Sequence, residues 1–261
     1  MMIPALWRSI QANEVVYWSQ LSAVHARPDG LFFLHASYPR PPVNSVRAVR
    51  VAPGQELAFA LAARRFFARR GYAAQMQIDP WVASDSLRAT LLRAGWLRTY
   101  DIAVMATTST ACRIDRPSEL AIHAAAPAEM VVWLRILARC FDLPEEPSLL
   151  AALQHGFAQG PAISYLAKWG GEPAACAQLL TAEGVGGIYA VGVLPAFRRR
   201  GIARALVAHL MQTAQSTCDH LCLQAVAESE AEHLYRSLGF QRLFLQESYY
   251  LPEVATKYQS G

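Results

Sequence analysis

One stretch in the second half of the chain decides the fold: Ile188-Tyr189-Ala190-Val191-Gly192-Val193-Leu194-Pro195-Ala196-Phe197, followed by Arg198-Arg199-Arg200-Gly201-Ile202-Ala203-Arg204. The apolar run predicts a strand, residues 195–201 a loop, and the residues from Ile202 onward a helix. The free N–H groups at the start of a helix form an anion site, and Gly201 leaves the backbone open to a phosphate. The arginines add forked donors that suit phosphate oxygens. The stretch therefore predicts a pyrophosphate site, although a helix that merely follows an arginine-rich surface turn would have the same pattern.

The elements on either side of this stretch alternate between strands and helices. The second half predicts a strand at 120–123, two helices at 128–141 and 148–158, and a hairpin turning at Gly170-Gly171. After the arginine-rich loop, a helix, a strand at 221–225, a helix ending at Gly239 and a last strand follow. This order predicts an α/β domain with partly parallel strand pairing.

The first half of the chain has a similar order of elements. The segment from 46 to 105 predicts a strand over 46–51, followed by a helix, a strand, a helix and a strand. An amphipathic helix is predicted over 12–26, whose apolar residues near helical spacing are Val15, Val16, Trp18, Leu21 and Val24. Gly95-Trp96 corresponds in this series to Gly239-Phe240. The agreement suggests duplication of a half-domain, although two such series can coincide by chance. The arginine-rich loop and Tyr235 have no counterpart in the first half, so only the second half is expected to carry chemistry.

Composition favours a globular protein of one or two domains. Of 261 residues, 53% are hydrophobic and 17% charged, which is too apolar for a disordered chain. No apolar run reaches the roughly 18 residues of a membrane span, and no signal peptide is expected. The net charge of +4, with no basic stretch interleaved with aromatics, predicts no nucleic-acid partner. Five cysteines predict a reducing cytoplasmic location: Cys112, Cys140, Cys176, Cys218 and Cys222.

Two motifs together resemble those of the GNAT N-acetyltransferase superfamily. Arg198-Arg199-Arg200-Gly201-Ile202-Ala203 resembles the R-x-x-G-x-A acetyl-CoA loop, and Ala231-Glu232-His233-Leu234-Tyr235-Arg236-Ser237-Leu238-Gly239-Phe240 resembles the A-x-x-L-Y-x-x-x-G-F helix and turn. The resemblance covers about residues 118–250. It implies an α/β fold with a mixed, partly parallel central sheet flanked by helices, preceded by a second, smaller α/β half-domain. Residues 1–112 are then a degenerate GNAT-like domain and residues 113–261 the catalytic one.

The resemblance implies transfer of an acetyl group from acetyl-CoA to an amine by direct attack on the thioester. In the family, the strand before the loop pairs with the pantetheine arm, and the loop amides hold the pyrophosphate. A backbone N–H near Val193 would polarise the thioester carbonyl, and Tyr235 would protonate the departing thiolate. The cofactor-binding roles map onto Val191, Gly192, Val193, Arg198, Arg199, Arg200, Gly201, Ile202, Ala203 and Arg204.

This sequence departs from the family pattern at two positions. Glu228, which we assign to cofactor binding, stands where the family often has an Asn that contacts the pantetheine arm, and Leu223 stands where some members have a general-base Glu. The general base stays open among Glu228, Glu183, Tyr189, His233 and a water chain. The departures also leave open a non-catalytic acyl-CoA-binding or scaffold module. Transfer to a hydroxyl, or of a longer acyl chain, is a third reading.

The expected partner is a small-molecule amine or a peptide acceptor, with no membrane partner. A monomer or a homodimer would serve this activity equally. No metal is expected, because the Cys218-x-His220-x-Cys222 spacing lacks a second pair of ligands.

Overall fold

A computed structural model describes residues 5–108 and 116–253, and the chain in it forms two compact units. Among the described residues, the first unit consists of Ser22–Val104 and residues 244–253. The second consists of residues 5–21, 105–108 and 116–243. The predicted boundary near residue 112, like Cys112, lies outside the described residues. The division into residues 1–112 and 113–261 stays a prediction, and the two compact units are interleaved in sequence.

The first unit is built on a mixed sheet with the strand order β1-β2-β3-β4-β11-β5. Strands β3 and β4 pair in parallel, whereas the β1–β2, β2–β3 and β4–β11 pairs are antiparallel. Helices α2 and α3 pack together, and the core between helices and sheet contains Phe59, Met76 and Trp96. The elements are β1 (Ala23–Arg27), β2 (Gly30–Leu34), β3 (Ser45–Arg47), α2 (Glu56–Ala68), β4 (Ala74–Ile78), α3 (Asp85–Arg93), β5 (Leu97–Thr107) and β11 (Gln241–Leu251).

The second unit is built on strands in the order β10-β9-β8-β7-β6, in which β10 and β9 are parallel and the remaining pairs antiparallel. Strands β5 and β11 belong partly to each unit. Across residues 5–108 and 116–253, every helix falls short of the length and apolarity that a bilayer span requires. The elements are α1 (Ala5–Ser19), β6 (Leu120–Ala124), α4 (Met130–Cys140), α5 (Pro147–Gln159), β7 (Ile163–Trp169), β8 (Glu172–Ala182), β9 (Val185–Val193), α6 (Ile202–Ala214), β10 (His220–Val226) and α7 (Glu230–Ser237).

The mixed, partly parallel sheet predicted from the element order is confirmed, and most predicted elements of the second half lie within two residues of the observed ones. Two predictions in the first half are wrong. The helix predicted over 12–26 is α1, which ends at Ser19, and residues 23–27 form β1 instead. The strand predicted over 46–51 is only Ser45–Arg47, because Ala48 has a positive φ of 49° that ends the extended backbone.

Helix α1 packs against β8 and β9 through a face that carries polar side chains. Its buried residues are Trp7, Ile10, Asn13, Glu14 and Tyr17, whereas Val15 and Val16 are only partly buried. The apolar spacing predicted for this helix included Val15 and Val16, whereas the buried side of α1 carries Asn13, Glu14 and Tyr17. Polar side chains can occupy a buried face only when they are hydrogen-bonded, and Asn13 meets that condition.

The Asn13 side chain is fully buried and bonds the β8–β9 hairpin. Its Nδ2 donates to the carbonyl oxygens of Leu180, Ala182 and Val185 at 3.0–3.1 Å. Gly187 makes room for it, since a Cβ there would lie 2.3 Å from Asn13 Oδ1 and 2.4 Å from Cε2 of Tyr189. The absence of a side chain at Gly187 therefore lets α1 lie against this hairpin.

Gly187→Ala is expected to destabilise the protein, because neither the bonded amide nor the adjacent ring can move away without losing contacts. The expected cost is about 1–3 kcal/mol, as for other overpacked sites. Urea unfolding of the variant and the parent measures it. An unchanged unfolding midpoint would contradict the close approach of Asn13 to Gly187.

Candidate functional site

Two parallel strands of the second unit separate and leave a fork between them. The β9–β10 pairing runs from Val185–His220 to Ile188–Leu223. Beyond it, β9 continues to Val193 and β10 to Val226 with no further residue pair between these two described strands. Alternate backbone N–H and C=O groups of residues 189–193 therefore face the fork, where an extended ligand can bond them as an added strand would. We call this opening the β9–β10 fork.

A β-bulge in β9 explains why the strands separate. Gln178 of β8 pairs with Tyr189, but Cys176 pairs with Gly192, so Ala190 and Val191 face the single residue Ala177. Ala190 has a φ of 53°. A bulge of this kind bends its strand and increases the local twist, which turns the end of β9 away from its neighbour. The bulge therefore opens the fork at residues predicted to bind the pantetheine arm: Val191, Gly192 and Val193.

The loop after the fork ends in a helix start that has no side-chain cap. Gly201 is the N-cap residue of α6 with a φ of 75°, and the part of the chain that the structure describes provides no side-chain cap here. The first helical bond is donated by the Ala205 N–H to the Gly201 carbonyl oxygen at 3.0 Å. A Cβ on Gly201 would meet nothing within 4 Å. The amides of Ile202, Ala203 and Arg204 thus form an open, electropositive site for an anion, which we call the α6 entrance.

The arginines around this entrance are arranged by contacts within the second unit. Arg198 Nε donates to the Val193 carbonyl oxygen at 3.1 Å, which ties the loop to the end of β9. The Arg200 guanidinium lies 5.5 Å from the ring centre of Trp169, a cation–π contact. Arg204 donates to Ser237 Oγ and so joins the start of α6 to the end of α7. Arg199 is exposed and has a φ of 63°.

Tyr235 lies in α7 with its side chain 5% exposed. Burial raises the pKa of its phenol to about 12. The residues that the structure describes provide no hydrogen-bond partner for its hydroxyl, and its ring meets that of Phe240 edge-on. Because the Arg204–Ser237 bond links α7 to the α6 entrance, Tyr235 lies on an element fixed to the predicted phosphate loop. A phenol that stays protonated and lacks a structural partner is suited to donate a proton.

A charged cluster holds the turn before α7. Glu232, whose side chain is 1% exposed, accepts from Arg236 and Arg242 and also from the backbone N–H of Glu228. The hydrogen bond from Arg242 pulls the pKa of Glu232 down to about 2. Glu228 has a φ of 59°, and its carboxylate is bonded to Arg242, which lowers its pKa. Glu228, the predicted pantetheine contact, is thus engaged in an ion pair.

The structure separates the candidates for the general base. Glu183 lies in the β8–β9 turn, roughly 25 Å along the strand from Val193. His233 is exposed, and it lies two residues from Tyr235, on the opposite side of α7. Tyr189 directly follows the last β9–β10 pair, but its ring lies over Gly187 and its hydroxyl donates to Asn13 Oδ1 at 2.7 Å. The hydroxyl of this candidate is therefore bonded to the buried face of α1, at a residue that sequence reasoning missed.

Comparison with known proteins agrees with this geometry. Residues 130–240 match the model of the Acetyltransferase (GNAT) family. Over these residues the chain is similar to the acetyltransferases of that family. The matched segment contains the β9–β10 fork, the α6 entrance and Tyr235.

Individual proteins are similar to longer parts of the chain than the family model covers. A mycothiol acetyltransferase from Kineococcus radiotolerans is 29% identical over 175 residues, which are 62% of this chain and 58% of that protein. A GCN5-related N-acetyltransferase from Kribbella flavida has the same fold over 98% of each chain, with a TM-score of 0.72 and 17% identity. A tandem GNAT protein from the clavulanic acid biosynthesis pathway matches over 91% of this chain and 80% of its own, with a TM-score of 0.61 and 12% identity.

These comparisons show similarity to acetyltransferases over part of the chain, which spans 58% of the length of the mycothiol acetyltransferase. The solved structures, at these identities, show the fold alone: an α/β fold with a mixed sheet flanked by helices. The first unit repeats part of the element order of the second unit, with α2 following β3 as α6 follows β9. Glu56 lies in the first turn of α2, where its negative charge opposes anion binding, and this agrees with a degenerate half-domain.

The cysteines of the described residues are free thiols without a metal-binding arrangement. Within residues 5–108 and 116–253, no group of three or more His, Cys, Asp or Glu side chains could hold a metal ion. Burial raises the pKa of the thiols of Cys176, Cys218 and Cys222, which makes them poor nucleophiles.

Glu232→Gln is expected to destabilise the protein by about 1–3 kcal/mol at pH 7, because the buried carboxylate would no longer accept charged hydrogen bonds from the partly exposed Arg236 and Arg242. The pKa of Glu232 is lowered by folding, so the advantage of the parent is complete above about pH 4.5 and is lost as the pH falls towards 2. Urea unfolding at several pH values measures this difference.

Glu230→Gln is the matched control, since Glu230 is exposed in the first turn of the same helix. It is expected to change the unfolding free energy by less than about 0.5 kcal/mol. Equal effects of the two substitutions would contradict the buried charge cluster.

Proposed function

We propose that this protein transfers the acetyl group of acetyl-CoA to an amine, on a small molecule or a peptide. The observation that carries the proposal is the continuity of the β9–β10 fork with the uncapped start of α6. A strand-like arm and a pyrophosphate are the two parts of CoA that such a surface can bind. The residues assigned to them are Val191, Gly192, Val193, Arg198, Arg199, Arg200, Gly201, Ile202, Ala203 and Arg204.

The chain's own groups have separate tasks in this reaction. A backbone N–H near Val193 polarises the thioester carbonyl as the amine nitrogen attacks its carbon. The C–N bond forms, the C–S bond breaks, and Tyr235 gives its proton to the sulfur that leaves. The amine loses a proton to a base that stays unassigned. Because Glu228 is paired with Arg242, we assign it to holding the β10–α7 turn beside the cofactor.

A non-catalytic acyl-CoA-binding module is the competing function. It is favoured by Leu223, a buried apolar residue where some family members have a carboxylate, and by the engagement of Glu228 in an ion pair. Tyr235, buried without a described hydrogen-bond partner, favours the enzyme instead. Thiol release from acetyl-CoA in the presence of primary amines separates the two, since only the enzyme produces it.

Gly201→Glu is expected to weaken acetyl-CoA binding at least tenfold, because the new carboxylate would meet the pyrophosphate at the α6 entrance. Gly184→Glu is the matched control. Gly184 also has a positive φ, 76°, and open space around its Cβ position, but it lies in the β8–β9 turn. Both substitutions therefore introduce similar backbone strain and the same charge.

Calorimetric titration with acetyl-CoA measures both variants. The expected result is a Kd increase in Gly201→Glu alone. Equal affinities in the two variants would remove the phosphate site from the α6 entrance and with it the proposed function.

Tyr235→Phe is expected to lower kcat by about 100-fold while leaving acetyl-CoA affinity within about threefold, because only the proton donor is lost. Tyr165→Phe, at another buried tyrosine of the second unit, is the control and should keep its kcat. Since the pKa of Tyr235 is about 12, its ionisation should produce no alkaline loss of activity below about pH 11. Full activity of Tyr235→Phe would contradict its role as the acid.

A further inference from the structure

Two cysteines of the second unit meet on the strand that leads to the α6 entrance. Cys176 of β8 pairs directly with Gly192 of β9, so the two residues share one face of the sheet. Cys140, the last residue of α4, packs on that same face. A Cβ on Gly192 would lie 3.4 Å from Cys176 Sγ and 3.0 Å from Cys140 Sγ. Both sulfur atoms therefore lie over Gly192, which puts no side chain of its own between them.

The two thiols are close enough to be joined by a small movement. A disulfide requires Cβ atoms about 3.5–4.5 Å apart. Cys140 Cβ lies 2.7 Å from the Cβ position of Gly192, and the Cβ positions of directly paired residues such as Gly192 and Cys176 lie about 4.5–5.5 Å apart. Cys140 also stands at the end of its helix, just before Asp142 with its φ of 51°. A residue at a helix end moves more easily than one inside the helix.

The two thiols differ in their exposure. Cys140 is partly exposed, whereas Cys176 is fully buried. A small oxidant therefore reaches Cys140 first, with Cys176 behind it as the thiol that completes a link. Burial raises the pKa of the Cys140 thiol, and the positive charge of Arg198 acts against that shift. Because the thiolate is the reactive form, oxidation is expected with peroxide in excess rather than with traces of it.

Cys218 and Cys222 provide a contrast, because they are close in sequence but cannot be joined. Cys218 Sγ lies 2.9 Å from the Cβ position of Gly186. Cys222 pairs with Gly187, the next residue along β9. Since successive residues of a strand point to opposite faces, these two thiols lie on opposite faces of the sheet. A link is therefore expected between Cys140 and Cys176 and not between this second pair.

A link between Cys140 and Cys176 would alter the strand that opens the β9–β10 fork. The Cys176 thiol donates to the carbonyl oxygen of Ala190 at 3.4 Å, and Ala190 lies in the bulge. A disulfide sulfur has no hydrogen to donate, so this bond would be lost. The two sulfur atoms would also draw together directly over Gly192, one of the residues assigned to the pantetheine arm. Both changes act on the backbone that lines the fork.

We propose that a hydroperoxide joins Cys140 and Cys176 in a disulfide, and that this link weakens acetyl-CoA binding at the β9–β10 fork. The O–O bond of the peroxide breaks as the Cys140 sulfur takes one oxygen, which gives a sulfenic acid and releases water or an alcohol. The Cys176 sulfur then attacks the Cys140 sulfur. The S–S bond forms, the S–O bond breaks, and the leaving hydroxyl takes the Cys176 proton as water. The two thiols thus supply both electrons and both protons that reduce the peroxide.

Peptide mapping by mass spectrometry tests the link. Trypsin cleavage after Arg139, Lys168 and Arg198 places the two cysteines on separate peptides, 140–168 and 169–198. The full chain is treated with excess hydrogen peroxide, alkylated without reduction and digested. The expected product is these two peptides joined, with two hydrogen atoms fewer than the separate peptides and separable by dithiothreitol.

Two serine variants control the mapping. Cys140→Ser should abolish the joined species, whereas Cys218→Ser, at a thiol on the other face of the sheet, should retain it. A sulfenic or sulfinic acid that persists at Cys140 without the link would overturn the proposal. A link through any other cysteine of the chain would overturn it as well.

Calorimetric titration with acetyl-CoA tests the effect of the link on the fork. The linked protein is expected to bind acetyl-CoA about tenfold more weakly than the reduced protein, and dithiothreitol should restore the affinity. Cys140→Ser, treated with peroxide in the same way, should keep its Kd within about twofold. An unchanged Kd of the fully linked protein, or an equal loss of affinity in Cys140→Ser, would overturn the effect on the fork.

The effect on acetyl-CoA binding rests on the proposed function, whereas the link itself does not. Absence of acetyl-CoA binding in the reduced parent would overturn the proposed function and the effect on the fork together. The peptide map decides the link in either case, so the two failures are distinguishable.

Discussion

The bulge at Ala190 is the constraint on which the rest of the site depends. One extra residue in β9 bends the strand away from β10 after Ile188 and exposes backbone groups that an unbroken sheet would pair. The same strand then runs into the loop that ends at Gly201, where the first turn of α6 has no side-chain cap. A ligand with an extended arm and a charged end can therefore bind one continuous stretch of backbone, from the end of β9 to the first turn of α6. Without the bulge, the amide entrance would be an isolated anion site.

One buried amide holds the first helix against the β8–β9 hairpin. The two N–H hydrogens of Asn13 are shared among three hairpin carbonyls, and its Oδ1 accepts from the Tyr189 hydroxyl, while Gly187 leaves the space that the amide needs. A buried polar group is stable only when it is hydrogen-bonded, and both ends of this amide meet that condition.

The second half of the fold was predictable from sequence because its apolar periods and glycine turns agree with the final structure. The strand, loop and helix from Ile188 to Arg204 were predicted because an open helix start needs a residue without a side chain, here Gly201. The helix with Tyr235 was predicted from its own motif, in which Gly239 ends the helix. Helix α1 was misplaced, because its buried face carries Asn13, Glu14 and Tyr17, and apolar periodicity then indicates the wrong side. The bulge has no marker in the sequence, since Ala190 is an ordinary residue in an unusual conformation. Long-range bonds such as Asn13–Tyr189 join residues 176 positions apart, which local patterns cannot reveal.

Amide hydrogen exchange with and without acetyl-CoA tests the central claim most directly. The account predicts slower exchange at two sets of amides, those of residues 191–193 in the fork and those of residues 202–204 at the start of α6. The amides around Gly184, at the far end of β9, should exchange at the same rate in both samples. Protection that falls elsewhere, with both sets unchanged at saturating acetyl-CoA, would contradict the account.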